Sequence, residues 1–82
     1  MPEIFYSTEF VKWIKKRDKN LQKQVLKKLN KLKQNPSLGK PLKNIFKNYR
    51  SLHVGEIRII YSIQKESIII AKAEHRKKVY KQ

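Results

Sequence analysis

Apolar residues change their spacing along the chain, and those changes mark its elements. Ile4, Phe5 and Tyr6 form a short strand candidate. Ser7 or Thr8 then offers a helix N-cap, and Glu9 favours the positive end of the helix dipole. Phe10, Trp13 and Ile14 follow at helical spacing, with Lys12, Lys15, Lys16 and Arg17 between them, and this first helix ends near Asp18–Asn20. From Leu21 a second stripe runs through Val25, Leu26, Leu29 and Leu32, while Lys23, Lys27 and Lys31 mark the opposite face. Asn35-Pro36 stops this helix, because a residue preceding proline is pushed out of the α region. Two helices joined by a few polar residues predict a helical hairpin.

Residues 35–48 read as a loop punctuated by Pro36, Gly39 and Pro41, with Leu42, Ile45 and Phe46 pinning it to the core. Then the spacing becomes that of strands. Tyr49–Val54 and Ile57–Gln64 predict a β-hairpin whose tip is Gly55-Glu56, where a left-handed backbone costs little. A Lys65-Glu66 turn leads to a third strand from Ser67 to about Ala73, apolar on both faces as an interior strand would be. The predicted order is β-α-α-β-β-β. This is an α+β fold with a mainly antiparallel sheet and the helical hairpin packed on one face. Residues 1–82 form a single domain without internal repeats or a linker.

Charge narrows the partners. Twenty-one Lys and Arg against six Asp and Glu give a formal net charge of +15, which predicts a polyanionic partner. The chain has no cysteine, which excludes a disulfide scaffold and thiolate chemistry. No stretch has the length of a membrane-spanning helix and no signal peptide is visible, so no membrane role is expected and a cytoplasmic location is.

Arg58 is the first site candidate, because it interrupts a run otherwise made of Ile, Tyr and Ser. A guanidinium stays charged at any physiological pH, so this position needs a carboxylate such as Glu56 or Glu74, or an anionic ligand such as a phosphate. Arg76, Lys77 and Lys78 form a basic tail that is either solvated or phosphate-binding. His53, on the opposite strand of the hairpin, and His75 can be hydrogen-bonding residues or proton carriers. Tyr80 either anchors the C-terminus or stacks on a base. Arg50, Lys43 and Lys47 add to the nucleic-acid-binding candidates, and Phe10 and Trp13 read as core.

There is no glycine-rich phosphate loop, no metal-ligand spacing and no useful carboxylate pair, so neither a cofactor nor a metal is expected. Metal-independent cleavage of RNA remains open. There the substrate's own 2′-hydroxyl attacks, and the protein supplies a base, cations for the pentacoordinate phosphate and an acid for the leaving oxygen. Arg, Lys, His and Tyr suffice for these roles.

The element order, the segment NYRSLHVGEIRIIYSI and the ending EHRKKVYK resemble the RelE/ParE toxin superfamily of toxin–antitoxin modules. Its hairpin motif corresponds here to His53-Val54-Gly55-Glu56-Ile57-Arg58-Ile59-Ile60-Tyr61, and its closing motif to His75-Arg76-Lys77-Lys78-Val79-Tyr80. The loop NPSLGKPLKN is similar to the family's segment before the hairpin. The resemblance implies a RelE-like toxin that enters the ribosomal A site and cleaves mRNA, with Arg58 holding the scissile phosphate. It implies roles for Arg76 and for Tyr80, the latter stacking on or orienting a base, and sets Arg50 near a catalytic lysine of RelE-type toxins. His53 stands where many members have Arg, and Ile57 where they have an aromatic. The departure at His53 either supplies a general base or weakens phosphate binding.

A ribosome-dependent endoribonuclease (an mRNA interferase) that inhibits translation is therefore the leading expectation. Its partners would be ribosome, mRNA and a cognate antitoxin with an acidic wrapping segment, in a toxin–antitoxin hetero-oligomer. The alternatives are a ParE-like poison of DNA gyrase and a basic nucleic-acid-binding protein without catalysis.

Overall fold

A computed structural model of the chain describes residues 3–43 and 48–75. Strand β1 (Glu3–Tyr6) leads into helices α1 (Thr8–Lys15) and α2 (Lys19–Gln34). After a single 3-10 turn at Pro36–Leu38 come β2 (Lys40–Pro41), β3 (Tyr49–Val54), β4 (Ile57–Gln64) and β5 (Ser67–His75). The sheet order is β1-β5-β4-β3-β2, with β1 parallel to β5 and the remaining neighbours antiparallel. The α+β architecture and the order of its main elements are those the spacing predicts, and β5 is an interior strand.

Local chemistry explains the helix boundaries. The Ser7 hydroxyl accepts the Phe10 N–H at 3.0 Å and caps α1, and it also donates to the Ala71 carbonyl of β5. The Asp18 carboxylate accepts the Leu21 N–H at 2.8 Å and caps α2. Between the helices, the Gln22 side-chain amide donates to the carbonyls of Ile14 (2.9 Å), which also accepts the Arg17 N–H, and of Arg17 (3.1 Å), tying the start of α2 to the end of α1. The Arg17 guanidinium lies 4.6 Å from the Trp13 ring centroid and holds the same corner.

The core forms where Val25, Leu29 and Leu32 of α2 and Phe10 of α1 meet Leu52, Ile59, Tyr61, Ile68 and Ile70 of the sheet. Leu26 departs from the expected stripe. It points away from the core and is 54% exposed, because the buried positions follow Val25, Leu29 and Leu32 and leave their neighbour outside the arc.

The segment 35–48 is more ordered than a plain loop. Asn35 caps the 3-10 turn by accepting the Ser37 N–H at 3.3 Å, and β2 pairs with Arg50 and Ser51. Leu42 is half-buried, whereas Ile45 and Phe46 lie outside the described residues. The hairpin tip is as expected: Val54 faces Ile57, and Gly55 has φ +60°. At the next turn Lys65 takes φ 57°, a left-handed conformation that costs a side-chain-bearing residue some strain. A register shift between Ile60 and Tyr61 bends β4 against β5.

Candidate functional site

Strand alternation divides β3, β4 and β5 into two faces. Leu52, Ile59 and Ala73 form one cross-strand row and belong to the helix-covered core. The adjacent row is His53, Arg58 and Glu74, which therefore lies on the face away from the helices. Directly opposed residues have Cβ atoms about 4.5–5.5 Å apart, so Arg58 is flanked by an imidazole on one side and a carboxylate on the other. Lys72 of β5 is two residues before Glu74 on that face, and its ammonium meets the Glu74 carboxylate at 3.4 Å.

Arg58 is half-buried, and its buried Nε has no hydrogen-bond partner among the described residues. Among the described residues it makes no ion pair, although Glu74 lies opposite it in register. Glu74 pairs with Lys72, and Glu56 lies 3.8 Å from His75, an ion pair when that imidazole is protonated. Among the described residues, the other buried side-chain atom without a partner is Ser51 Oγ, diagonal to Arg58 across the β3–β4 pair. Two unsatisfied polar groups on one sheet face leave donor capacity for an external ligand.

The histidines separate. His53 lies opposite Arg58, whereas His75 lies opposite Ile57, in the row of the other face. Arg50 is turned elsewhere: its Nη1 donates to the Gly39 carbonyl at 2.6 Å and the Ser37 carbonyl at 3.4 Å. Beside it, the Tyr61 hydroxyl accepts the Gly39 N–H at 2.9 Å and donates to the Pro36 carbonyl at 2.8 Å. Burial raises the Tyr61 pKa above the usual phenol value, while the Gly39 N–H and the Arg50 charge pull it partly back. Arg50 and Tyr61 thus clamp the segment between α2 and β2 onto the sheet. Lys43 is exposed beyond β2. The candidates Lys47, Arg76, Lys77, Lys78 and Tyr80 lie outside the described residues. Glu74 was named from the sequence as a carboxylate for Arg58, whereas Lys72 was not legible as a site neighbour. Its only signal was its alternation with Ala71 and Ala73, which puts it on the face of Glu74.

Among the described residues, no group of three His, Cys, Asp or Glu is arranged to hold a metal ion, and no helix is long and apolar enough to cross a membrane. The chemistry of this face is that of a fixed guanidinium with an imidazole, an ammonium and a carboxylate around it.

Comparison with known proteins assigns the chain to a family. A family model described as the ParE toxin of the type II toxin–antitoxin system parDE matches residues 4–80. The chain belongs to that family. It is the toxin of a type II toxin–antitoxin module, within the RelE/ParE superfamily. A chain of the RelBE2 toxin–antitoxin complex of Mycobacterium tuberculosis has the same fold, with TM-score 0.83 and 22% identity over 93% of this chain and 100% of that one. The isolated RelE toxin of E. coli matches with TM-score 0.80 and 14% identity, over 92% of this chain and 84% of that one. YafQ of E. coli is more similar in sequence, at 27% identity, with TM-score 0.67 over 98% and 99% of the two chains. No curated protein sequence matches the toxin.

Proposed function

We propose that this toxin is a metal-independent endoribonuclease that cleaves mRNA in the ribosomal A site and thereby stops translation. The observation that carries the proposal is Arg58, a permanent cation on an interior strand whose Nε is buried without a protein acceptor. Its planar donors suit phosphate oxygens, and a rigid strand fixes them with little reorganisation during reaction.

In this reaction the RNA 2′-oxygen attacks the adjacent phosphorus and the bond to the 5′-oxygen breaks. The products are a 2′,3′-cyclic phosphate and a free 5′-hydroxyl. His53 is the base that the register favours, since it lies directly opposite Arg58, whereas His75 belongs to the neighbouring row. Arg58 neutralises the charge that grows on the phosphate oxygens. A protonated group delivers the proton that the leaving 5′-oxygen takes up, and Arg76 and Tyr80 complete the site in this reading. The +15 charge suits both the RNA and an acidic antitoxin segment wrapped around the toxin. Such a toxin works in the cytoplasm, where ribosomes translate.

The description of the matching family favours a second reading, a ParE-like poison that binds DNA gyrase and cuts no RNA. Primer extension on mRNA in a reconstituted translation system separates the two. Ribosome-dependent cuts by wild-type protein, reduced at least about 100-fold by Arg58→Ala in a folded variant, are the expected result. Intact mRNA with continuing translation would overturn the ribonuclease reading.

A further inference from the structure

The sheet face that carries Arg58 continues along the strands away from the hairpin tip. On it His53 stands opposite Arg58, Ser51 opposite Ile60 and Tyr49 opposite Ser62, while the intervening pairs Leu52–Ile59 and Arg50–Tyr61 lie on the helix-covered side. Arg58 and Ser62 therefore project from β4 on one face, four residues apart, a separation on the order of 13 Å along the strand. At the Ser62 end, Asn48, Tyr49, Ser62, Ile63 and Gln64 border a hollow of about 320 Å³. That is within the range of small-ligand sites, about 300–1,000 Å³. Ser62 is buried, Tyr49 is half-buried, and Asn48 and Gln64 are exposed, so the serine forms the floor and the two carboxamides the rim. Among the described residues this lining holds no Lys, Arg, Asp or Glu, in a chain that has 21 Lys and Arg.

We propose that this hollow is a nucleobase subsite for the RNA strand whose phosphate lies at Arg58, with Tyr49 as the stacking ring and Asn48 and Gln64 reading the base edge. The proposal rests on the ribonuclease reading for the identity of the strand. The lining itself selects the chemistry of the occupant. A carboxamide presents donors beside an acceptor, the pattern of a base's hydrogen-bonding edge, and a phenol ring offers a face to the base's π-system. A phosphate or an acidic peptide segment would find no cation in this lining to pair with. Placement on the Arg58 face then sets the strand. A separation on the order of 13 Å corresponds to a few stacked nucleotides at about 3.4 Å each, so one strand can lay a phosphate on Arg58 and a base in the hollow. A phosphate is the same at every nucleotide, so Arg58 positions the strand without reading it. The hollow supplies the base preference.

The test uses full-length toxin and two fluorescein-labelled single strands of equal length. One is a 2′-O-methyl RNA, which lacks the attacking hydroxyl, and the other is an abasic strand with the same phosphates. Wild-type protein should bind the base-bearing strand about 5- to 150-fold more tightly, the worth of one stacked base. Asn48→Ala/Gln64→Ala and, separately, Tyr49→Ala should remove most of that gap. The slope of log K against log [salt] should stay as in wild type, because neither variant removes a phosphate contact. Asn30→Ala/Gln34→Ala takes the same two groups from exposed positions of α2 and should keep the gap. Asn48 and Gln64 are exposed, so their replacement costs the fold little, and circular dichroism checks the half-buried Tyr49 variant. A gap absent in wild type, or one that survives in both site variants, would overturn the subsite. So would a loss of affinity with a shallower salt slope, which would make the hollow a phosphate contact. Cutting of mRNA by wild-type protein in the translation assay, beside such a result, leaves the ribonuclease reading standing. Intact mRNA with wild-type protein is the separate failure of that reading.

Discussion

Tyr61→Phe removes one oxygen atom, and the structure sets the cost. Tyr61 is the largest fully buried side chain, and its ring stays in place in the variant. What is lost is an acceptor for the Gly39 N–H and a donor for the Pro36 carbonyl. Gly39 is buried, so its N–H is left without an acceptor, a loss of about 1–3 kcal/mol. Pro36 is half-buried and its carbonyl can turn to water, so that loss is about 0.5–1 kcal/mol. Together the variant should be destabilised by roughly 1.5–4 kcal/mol, and Tm should fall on the order of 10–20 °C for a domain of this size. Urea unfolding followed by the fluorescence of Trp13, the single tryptophan, reads the change. The pH dependence gives an independent check. Burial raises the folded-state pKa of Tyr61, so its contribution to stability is complete below the unfolded value of about 10 and is lost as pH rises through the folded one. The gap between wild type and variant should therefore narrow above about pH 10. A destabilisation below about 0.5 kcal/mol at neutral pH, within the range of an ordinary surface change, would refute the clamp.

Two further outcomes follow from backbone geometry. In Gly39→Ala the new Cβ would lie 2.7 Å from the Tyr61 hydroxyl and 2.8 Å from the Ser51 carbonyl, which is backbone and cannot swing aside. Denaturant titration should show a loss of about 1–3 kcal/mol, as for other overpacked sites, and an unchanged midpoint would contradict the close approach. Lys65→Asn places a residue tolerant of the left-handed region at φ 57°, and the urea midpoint should rise by about 0.5 kcal/mol equivalent. A lower midpoint would show that the Lys65 side chain contributes more than its backbone strain costs.

The parts of the fold that are legible in the sequence are those encoded over short distances. Ser7 and Asp18 cap their helices through bonds to backbone three residues on, and Gly55 sets the hairpin tip by its own φ. The clamp is illegible for the opposite reason. Tyr61 reaches carbonyl and amide groups 25 and 22 residues away, and Arg50 a carbonyl 11 residues away. A tyrosine and an arginine on strands carry no mark of such distant partners, so β2 was hidden inside an apparent loop. Arg50 illustrates the same limit for function: as a sequence residue it fits nucleic-acid binding, yet its Nη1 is engaged by the loop. Arg58 was legible because its charge contradicts its strand. His53 and Glu74 were named as candidates around it, but that both stand directly opposite it, and that Lys72 joins them, depends on register, and a shift by one residue would send them to the other face.

Polar groups are treated in opposite ways along β3 and β4. Toward one end, Tyr61 and Arg50 have protein partners at 2.6–2.9 Å, and those bonds order the segment leading into β2. Toward the hairpin tip, Arg58 Nε is buried without any among the described residues. Such an orphan costs about 1–3 kcal/mol, a large share of the stability available to a small domain. Loosening the tip would let water reach that atom, but it would also let the guanidinium wander. Holding Arg58 on an interior strand keeps its Nε fixed and unspent, which is what the proposed stabilisation of a transferring phosphate requires. The well-bonded end contributes the rigidity that makes the unsatisfied end tolerable. The physical signature of the site is therefore the contrast between the two ends, more than the positive charge, which lysines spread over much of the surface.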